Sequence, residues 1–107
     1  MKKKDTITQE MIDNWKKEYG HIFKTTLGSE SYIFRPLKRS EYVEVMTTQY
    51  DDDKVKIFKR QDEIVKKAVL WPENIDEVVE SVGGVATTIA DSILEKSGFD
   101  ISQTEEL

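Results

Sequence analysis

The spacing of apolar residues near the start of the chain predicts an amphipathic helix. Between residues 6 and 20 the apolar positions recur at helical spacing and form one stripe, which consists of Met11, Ile12, Trp15 and Tyr19. Thr6 followed three residues later by Gln9 matches a capping box, and Thr8 is a second candidate for the N-cap. Gly20 stands where a helix commonly ends in a left-handed conformation.

The next segment changes from helical spacing to runs of β-branched and aromatic residues. The stretches "HIFKTTL" and "SYIFRP" flank the short separator "GSE", which predicts a β-hairpin. In the second strand Tyr32 and Phe34 are expected on one face, with Ile33 and Arg35 on the other. Pro36 lacks the backbone N–H that a strand ladder needs, so it ends the strand and begins a corner.

Helical spacing resumes after this corner, near Lys38 or Arg39. The inner stripe of the new helix is predicted to hold Tyr42, Val45, Met46 and Gln49. Three aspartates at positions 51–53 stop this helix and offer N-caps to the next one.

The following helix is predicted to run as far as Trp71, because the residue before Pro72 avoids the α region. Its inward positions are expected to be Val55, Phe58, Ile64, Val65, Ala68 and Val69, although its first one or two turns could instead be loop. Two more helices, "NIDEVVESV" and "VATTIADSILEKSG", are separated by two glycines. In the last helix Val85, Ile89, Ile93 and Leu94 point inward, and Gly98 followed by Phe99 predicts a glycine C-cap with an apolar contact.

These elements predict one α+β domain spanning residues 6–99, mostly helical, with one β-hairpin and four or five helices. Residues 1–5 are expected to be a flexible basic arm, and residues 100–107 a flexible acidic tail with too little apolar content to pack.

Charge is distributed unevenly along the 107 residues, whose net charge is −5. Residues 1–39 carry a balance of +4 and residues 40–107 a balance of −9. An acidic half repels phosphate backbones, so nucleic acid is not an expected partner. Three interpretations stay open for the acidic half: a basic partner surface, the protein's own basic half, or a solvated face that maintains solubility. No apolar run approaches the roughly 18 residues that span a bilayer, so a membrane location is not expected either.

Groups that could support catalysis or metal binding are scarce. Cysteine is absent, and His21 is the only histidine, which favours a plain residue at a strand start over a catalytic base or metal ligand. "DDDKVK" lacks the glycine and the spaced oxygen ligands of a calcium loop, and "VGGVATT" lacks the lysine of a phosphate-binding loop. We therefore predict a protein that is not an enzyme and needs no cofactor or metal.

Two features of the chain could instead bind a partner. The cations Arg35, Lys38 and Arg39 form either a docking rim or pairs with Glu41 and Glu44. The side chain of Trp71, like that of Trp15, is either part of the core or an exposed anchor. The candidate partner-binding residues are Arg35, Leu37, Lys38, Arg39, Tyr42, Met46 and Trp71.

The order of the segments "FRPLKRSEY", "DEIVKKAVLWPENID" and "GVATTIADSILEKSGF" resembles the small tail or baseplate-hub assembly chaperones of contractile-tailed bacteriophages. The matching positions span residues 34–42, Trp71 with Pro72, and residues 97–99, so the resemblance covers roughly residues 30–99. It implies a non-catalytic protein in the host cytoplasm that holds another phage tail or baseplate protein until assembly. The alternatives are a structural subunit of the virion, or a small enzyme or regulatory inhibitor whose site carries no recognisable motif. The client and the oligomeric state do not follow from the sequence.

Overall fold

A computed structural model describes residues 6–50, 52–99 and 104–107 of the chain. The predicted basic arm, the first four residues of the predicted acidic tail and the candidate cap Asp51 lie outside the described residues. The elements in chain order are α1 Gln9–Tyr19, β1 Phe23–Leu27, β2 Glu30–Phe34, α2 Arg39–Thr47, α3 Lys56–Ala68, β3 Val69–Trp71, α4 Ile75–Ser81 and α5 Val85–Lys96. Five helices and one antiparallel sheet of order β1-β2-β3 confirm the predicted mostly helical α+β fold.

Helix α1 is capped by Thr8, the second of the two candidates. The Thr8 hydroxyl accepts a hydrogen bond from the Met11 N–H at 3.2 Å, whereas Thr6 precedes the helix. Gly20 ends the helix as predicted, with a φ of 84° that favours glycine. No residue of α1 is fully buried, so its apolar stripe is only partly covered by the rest of the protein.

The hairpin has a tighter turn than the sequence suggested. Leu27 pairs with Glu30, which leaves a two-residue loop of Gly28 and Ser29. Gly28 has a φ of 61°, and glycine at the first position of such a loop is the mark of a type II′ turn. Glu30 therefore belongs to β2 and not to the loop.

Both faces of β2 are covered. Tyr32 and Phe34 lie in the main core, as the alternation predicted, but Ile33 on the opposite face is also only 4% exposed. Ile33 pairs with Trp71, and paired residues of antiparallel strands share a face. Trp71 is thus half-buried on this second face, outside the main core cluster.

The third strand corrects the predicted helix boundary. The helix expected to continue to Trp71 ends at Ala68, and Val69–Trp71 pairs with the free edge of β2. Pro72 favours extended backbone in the preceding residue, and the edge of β2 supplies the hydrogen-bond partners that an extended segment needs.

The main core lies between the sheet and helices α3 and α5. It contains Tyr32, Phe34, Leu37, Val45, Ile64, Val65, Ala68, Ile75, Val85, Ala86, Ile89, Ala90 and Ile93. Most inward positions predicted for α2, α3 and α5 are therefore confirmed. Gln49 is a correction: α2 ends at Thr47, so Gln49 is no longer on the helical stripe and is exposed.

Helices α3 and α5 run parallel. The Thr87 hydroxyl, in the first turn of α5, donates at 2.8 Å to Gln61 Oε1, near the middle of α3. At the other end, the Ala68 carbonyl accepts from the Arg35 N–H and the Ser97 hydroxyl accepts from the Leu37 N–H. Both acceptors bind the segment 35–37, so the C-terminal ends of α3 and α5 meet at one corner of the fold.

Candidate binding surfaces

The corner after β2 is held by the guanidinium of Arg35. Its two terminal nitrogens donate to the two carboxylate oxygens of Glu41 at 2.8 and 2.7 Å. One of these nitrogens also donates to the Lys67 carbonyl at 2.8 Å, at the C-terminal end of α3. The side chains of Arg35 and Glu41 are only 14% and 20% exposed, so this pair connects β2, α2 and α3 largely out of solvent.

Glu41 also closes the start of α2. Its Oε1 accepts from the backbone N–H of Lys38 at 2.9 Å, which makes the carboxylate the cap for the first turn. The Arg35 hydrogen bonds lower the pKa of Glu41 to about 2; burial opposes this effect, and the Lys38 N–H reinforces it. Glu41 is therefore ionised at neutral pH, with both oxygens engaged inside the fold.

The C-terminal end of α5 completes the same corner. The Ser97 hydroxyl accepts from the Leu37 N–H at 2.8 Å and donates to the Ile93 carbonyl at 2.6 Å. Gly98 has a φ of 94°, and the Phe99 N–H donates to the Leu94 carbonyl at 3.0 Å, as in a Schellman motif.

The Phe99 ring then packs against Tyr42, with the ring centroids 4.3 Å apart. The predicted glycine cap with a returning aromatic ring is thus confirmed.

The corner accounts for three of the seven predicted partner-binding residues. Arg35 is held by Glu41 and Lys67, Leu37 is buried at 7% exposure, and Tyr42 is half-buried beneath Phe99. These residues help to build the fold, and the contacts of Arg35 are those of the pairing interpretation.

Of the other four predicted residues, Lys38 and Arg39 adjoin the corner, whereas Met46 and Trp71 lie elsewhere. Lys38 and Arg39 are exposed, and the Arg39 guanidinium lies 5.9 Å from the centre of the Tyr42 ring. Met46 is half-buried and packs against the core, and Trp71 is half-buried beside Ile33. Glu44, the second expected acid, pairs with Lys67 at 3.2 Å and not with the corner cations.

A surface that the sequence did not predict lies at the start of α3. Val55 and Phe58 were expected to point inward, but they are 38% and 60% exposed, and Ile57 is also 60% exposed. Val55 precedes the helix as its N-cap, so it does not share the helical stripe. We call these three side chains the overhang surface.

The parallel packing of α3 and α5 explains this exposure. Ile57 and Phe58 precede Gln61 by four and three residues, so they lie on the face of α3 that packs on α5. However, α3 begins five residues before Gln61, whereas α5 begins only two residues before its partner Thr87. The inward stripe of α3 therefore extends past the N-terminal end of α5, and among the described residues Ile57 and Phe58 stay 60% exposed there.

Charged residues of both signs adjoin the overhang surface. Residues 54–60 contain Lys54, Lys56, Lys59 and Arg60 and no acidic residue. Lys54 and Lys59 are exposed and make no ion pair within the described residues, while Lys56 lies 3.8 Å from the exposed Asp53. Asp52 and Asp53 are exposed directly before this segment, and Asp62 and Glu63 follow it, so the border of the apolar surface carries charges of both signs.

An open cleft of about 500 Å³ lies between the end of α2 and the start of α3. Its lining includes Met46, Tyr50, Lys56 and Arg60, and Arg60 Nη2 donates to the Met46 carbonyl at 3.2 Å. The Tyr50 hydroxyl and Arg60 Nε are inaccessible to solvent and have no hydrogen-bond partner among the described residues.

The remaining chemistry of the described residues is sparse. His21 is exposed and lies just before β1, which begins at Phe23. The described part of the chain holds no group of three or more histidine, aspartate or glutamate side chains arranged to bind a metal. Within the same ranges, no helix combines the length and the apolar character needed to cross a membrane.

Comparisons with known proteins identify no relative. No family model, no curated protein and no solved structure matches this chain.

Proposed function

We propose that the protein is a non-catalytic binding protein of the host cytoplasm, which acts as an assembly chaperone for a phage tail or baseplate component. The observation that carries the binding role is the overhang surface, an apolar continuation of the core stripe whose side chains are 38–60% exposed in the described structure, past the N-terminal end of α5. The phage assignment comes from the sequence resemblance at residues 34–42, at Trp71 with Pro72, and at residues 97–99.

The size of the overhang surface favours a partner that can be released. Its three side chains expose roughly 300 Å² of apolar area, whereas a stable interface buries about 800 Å² on each partner. Covering that area would gain roughly 7 kcal/mol at 25 cal/mol per Å². Most of this gain is offset by the cost of association, which is about 4–15 kcal/mol. Such a surface on its own supports weak and reversible binding, as a chaperone that gives up its client requires.

The corner supplies the rigid support for this surface. Arg35 ties β2 to α2 and α3, and Ser97 ties α5 to the same segment. Helix α3 is therefore fixed at its C-terminal end, while its N-terminal turn extends past its neighbour. The segments that carry the phage resemblance converge in this corner, so they support the binding surface and do not form it.

Co-purification with phage proteins tests the proposal directly. A tagged chain expressed during infection should retain a tail or baseplate protein from the lysate and should be absent from purified particles. A Phe58→Ser variant should retain at least tenfold less of the same protein, because interface aromatic anchors commonly carry a large share of binding. The matched control is Val43→Ser, which alters a side chain 41% exposed on α2.

The same experiment separates the alternatives. Presence of the chain in particles at fixed stoichiometry would identify a structural subunit and contradict the chaperone role. Equal client capture by the Phe58→Ser and unmodified chains would show that the overhang surface is not the binding site.

A further inference from the structure

We infer that the outer edge of β1 pairs with the β1 edge of a second copy of the chain, in antiparallel orientation, and joins the two sheets into one. This inference does not depend on the proposed chaperone role, because the edge of β1 and the overhang surface belong to different elements.

The outer side of β1 offers unpaired backbone groups. The two-residue loop makes Leu27 and Glu30 a hydrogen-bonded pair, and the alternation of an antiparallel ladder then directs the N–H and carbonyl groups of Lys24 and Thr26 away from β2. These groups have no hydrogen-bond partner within the described residues, and both residues are exposed. The other outer strand, β3, has three residues and a bulge in its pairing, which leaves fewer groups for a partner.

The contacts of the neighbouring helices place them away from this edge. Tyr19, the last residue of α1, lies with its ring centre 5.4 Å from the guanidinium of Arg35, which also donates to the Lys67 carbonyl. The end of α1 therefore lies towards α3, on the inner side of β1. Helix α5 approaches the core face of the sheet, where Lys96 Nζ is 5.7 Å from the centre of the Phe23 ring.

The sequence of β1, "FKTTL", suits pairing with itself in a register centred on Thr25. With the Thr25 residues of the two copies opposite each other, Phe23 lies opposite Leu27 of the second copy. Lys24 lies opposite Thr26, and their outward groups form two hydrogen-bonded pairs with two bonds each. Phe23 and Leu27 are only half-buried against their own core, so their pairing covers more of both side chains.

The charges near the edge favour this register. A shift that places the Lys24 residues of the two copies directly opposite each other sets like charges against one another, which destabilises a sheet. In the register centred on Thr25 they lie diagonally, and each is opposite a threonine. On the core face, Glu30 lies beside Leu27. Lys96 of the other copy lies over the Phe23 ring that this leucine meets, so the core face carries charges of opposite sign.

The pairing is expected to be weak and reversible. One strand of five residues makes far less contact than the roughly 800 Å² per partner that a stable dimer buries. Lys24 is also the kind of charged residue that limits pairing at a sheet edge. We therefore expect a dissociation constant on the order of 100 μM.

Sedimentation equilibrium of the full chain between about 10 μM and about 1 mM tests the inference, and it should show monomers and dimers in exchange. Over the same range, the amide NMR signals of Lys24 and Thr26 should shift more with concentration than those of the other strands. Thr26→Pro removes an outward N–H that the hairpin itself does not use, so it should weaken dimerisation at least tenfold. Its matched control, Thr26→Val, keeps that N–H and should dimerise at least as tightly as the unmodified chain.

A second variant tests the edge without changing the backbone. Lys24→Thr removes the charge that limits pairing and should tighten dimerisation about threefold. Lys66→Thr removes an exposed cation in the last turn of α3 and should leave dimerisation unchanged. Far-UV circular dichroism confirms that each variant is folded.

A chain that stays monomeric at about 1 mM would overturn the inference, and so would a dimer that neither Thr26→Pro nor Lys24→Thr affects. A dimer that Phe58→Ser dissociates would also overturn it, because the contact would then lie at the overhang surface. Monomeric behaviour together with loss of client capture in Thr26→Pro would assign the edge to an extended segment of the client. Client capture by Phe58→Ser remains a separate test of the proposed function.

Discussion

Replacing Glu41 with glutamine tests whether the corner pair stabilises the fold. In the folded protein the carboxylate accepts two hydrogen bonds from Arg35 and one from the Lys38 N–H. Glutamine keeps the shape but places an amide donor against the guanidinium and removes the charge. The Arg35 cation then loses its only carboxylate partner within the described residues while it stays 14% exposed.

The pKa of Glu41 gives the size of the effect. A pKa of about 2 in the folded state, against the usual value of 4.5, corresponds to roughly 3 kcal/mol at 1.36 kcal/mol per pH unit. One-fifth of the Glu41 side chain is in contact with solvent, which screens part of the interaction. We therefore expect Glu41→Gln to lower the free energy of unfolding by about 2 kcal/mol at pH 7.

The effect should depend on pH in a defined direction. Because the folded-state pKa lies below the unfolded one, protonation of Glu41 favours unfolding. Its contribution is complete above about pH 4.5 and disappears as the pH falls toward 2. The difference between the unmodified chain and the variant should therefore shrink over this range, and contributions of the other carboxylates cancel in the difference.

Urea unfolding at several pH values, followed by far-UV circular dichroism, measures this difference without the screening that an ionic denaturant adds. Glu44→Gln is the matched control, because Glu44 pairs with Lys67 while 66% exposed, and it should change the free energy of unfolding by less than about 0.5 kcal/mol. A Glu41→Gln effect no larger than that of the control, or one that stays constant from pH 7 to pH 3, would refute this account of the corner.

Two further predictions concern the end of α5. Ser97→Ala leaves the backbone N–H of Leu37 without its acceptor and should lower the free energy of unfolding in urea by about 1–2 kcal/mol. Ser92→Ala is the control: the Ser92 hydroxyl only donates to the backbone of its own helix, so its loss should lower the free energy of unfolding much less. Gly98→Ala should lower the free energy of unfolding by about 1 kcal/mol, because alanine disfavours the φ of 94° at this position. No atom lies within 4 Å of the added Cβ, so no steric clash contributes to this loss. Gly83→Ala, equally open but without a positive φ, should be neutral or slightly stabilising in the same assay.

The sequence alone was sufficient for the elements whose signals are local. The glycine at each turn or helix end, the hairpin between two β-branched runs, and the stripe of α5 all depend on residues a few positions apart. Such patterns act through backbone conformation and through the face of the element on which each side chain lies, and neighbouring residues already determine both. The same reasoning predicted that Phe99 would fold back beside Gly98.

The third strand shows where local signals are insufficient. Val69–Trp71 continues an apolar run that fits a helix as well as a strand, and three residues are too few to show a period. Only the presence of the β2 edge, more than thirty residues earlier in the chain, decides that these residues are extended.

The role of Arg35 also required the tertiary structure. Its sequence neighbours allowed either docking or pairing with Glu41, and the deciding contact is the Lys67 carbonyl, 32 residues away. A cation that satisfies a helix carbonyl and a carboxylate at once is held within the fold, and the sequence does not show which distant carbonyl will be near.

The sequence predicted which side chains of α3 share one face, but it did not predict whether the rest of the protein covers that face in the first turn. The periodicity correctly placed Phe58 on the same face as Ile64 and Val65, because helical geometry fixes that relation within one element. How far α5 reaches along that face depends on where Thr87 meets Gln61, a register set by packing between two segments that are distant in the chain. Side-chain direction is thus a property of the local sequence, whereas burial depends on the length and position of the neighbouring helix.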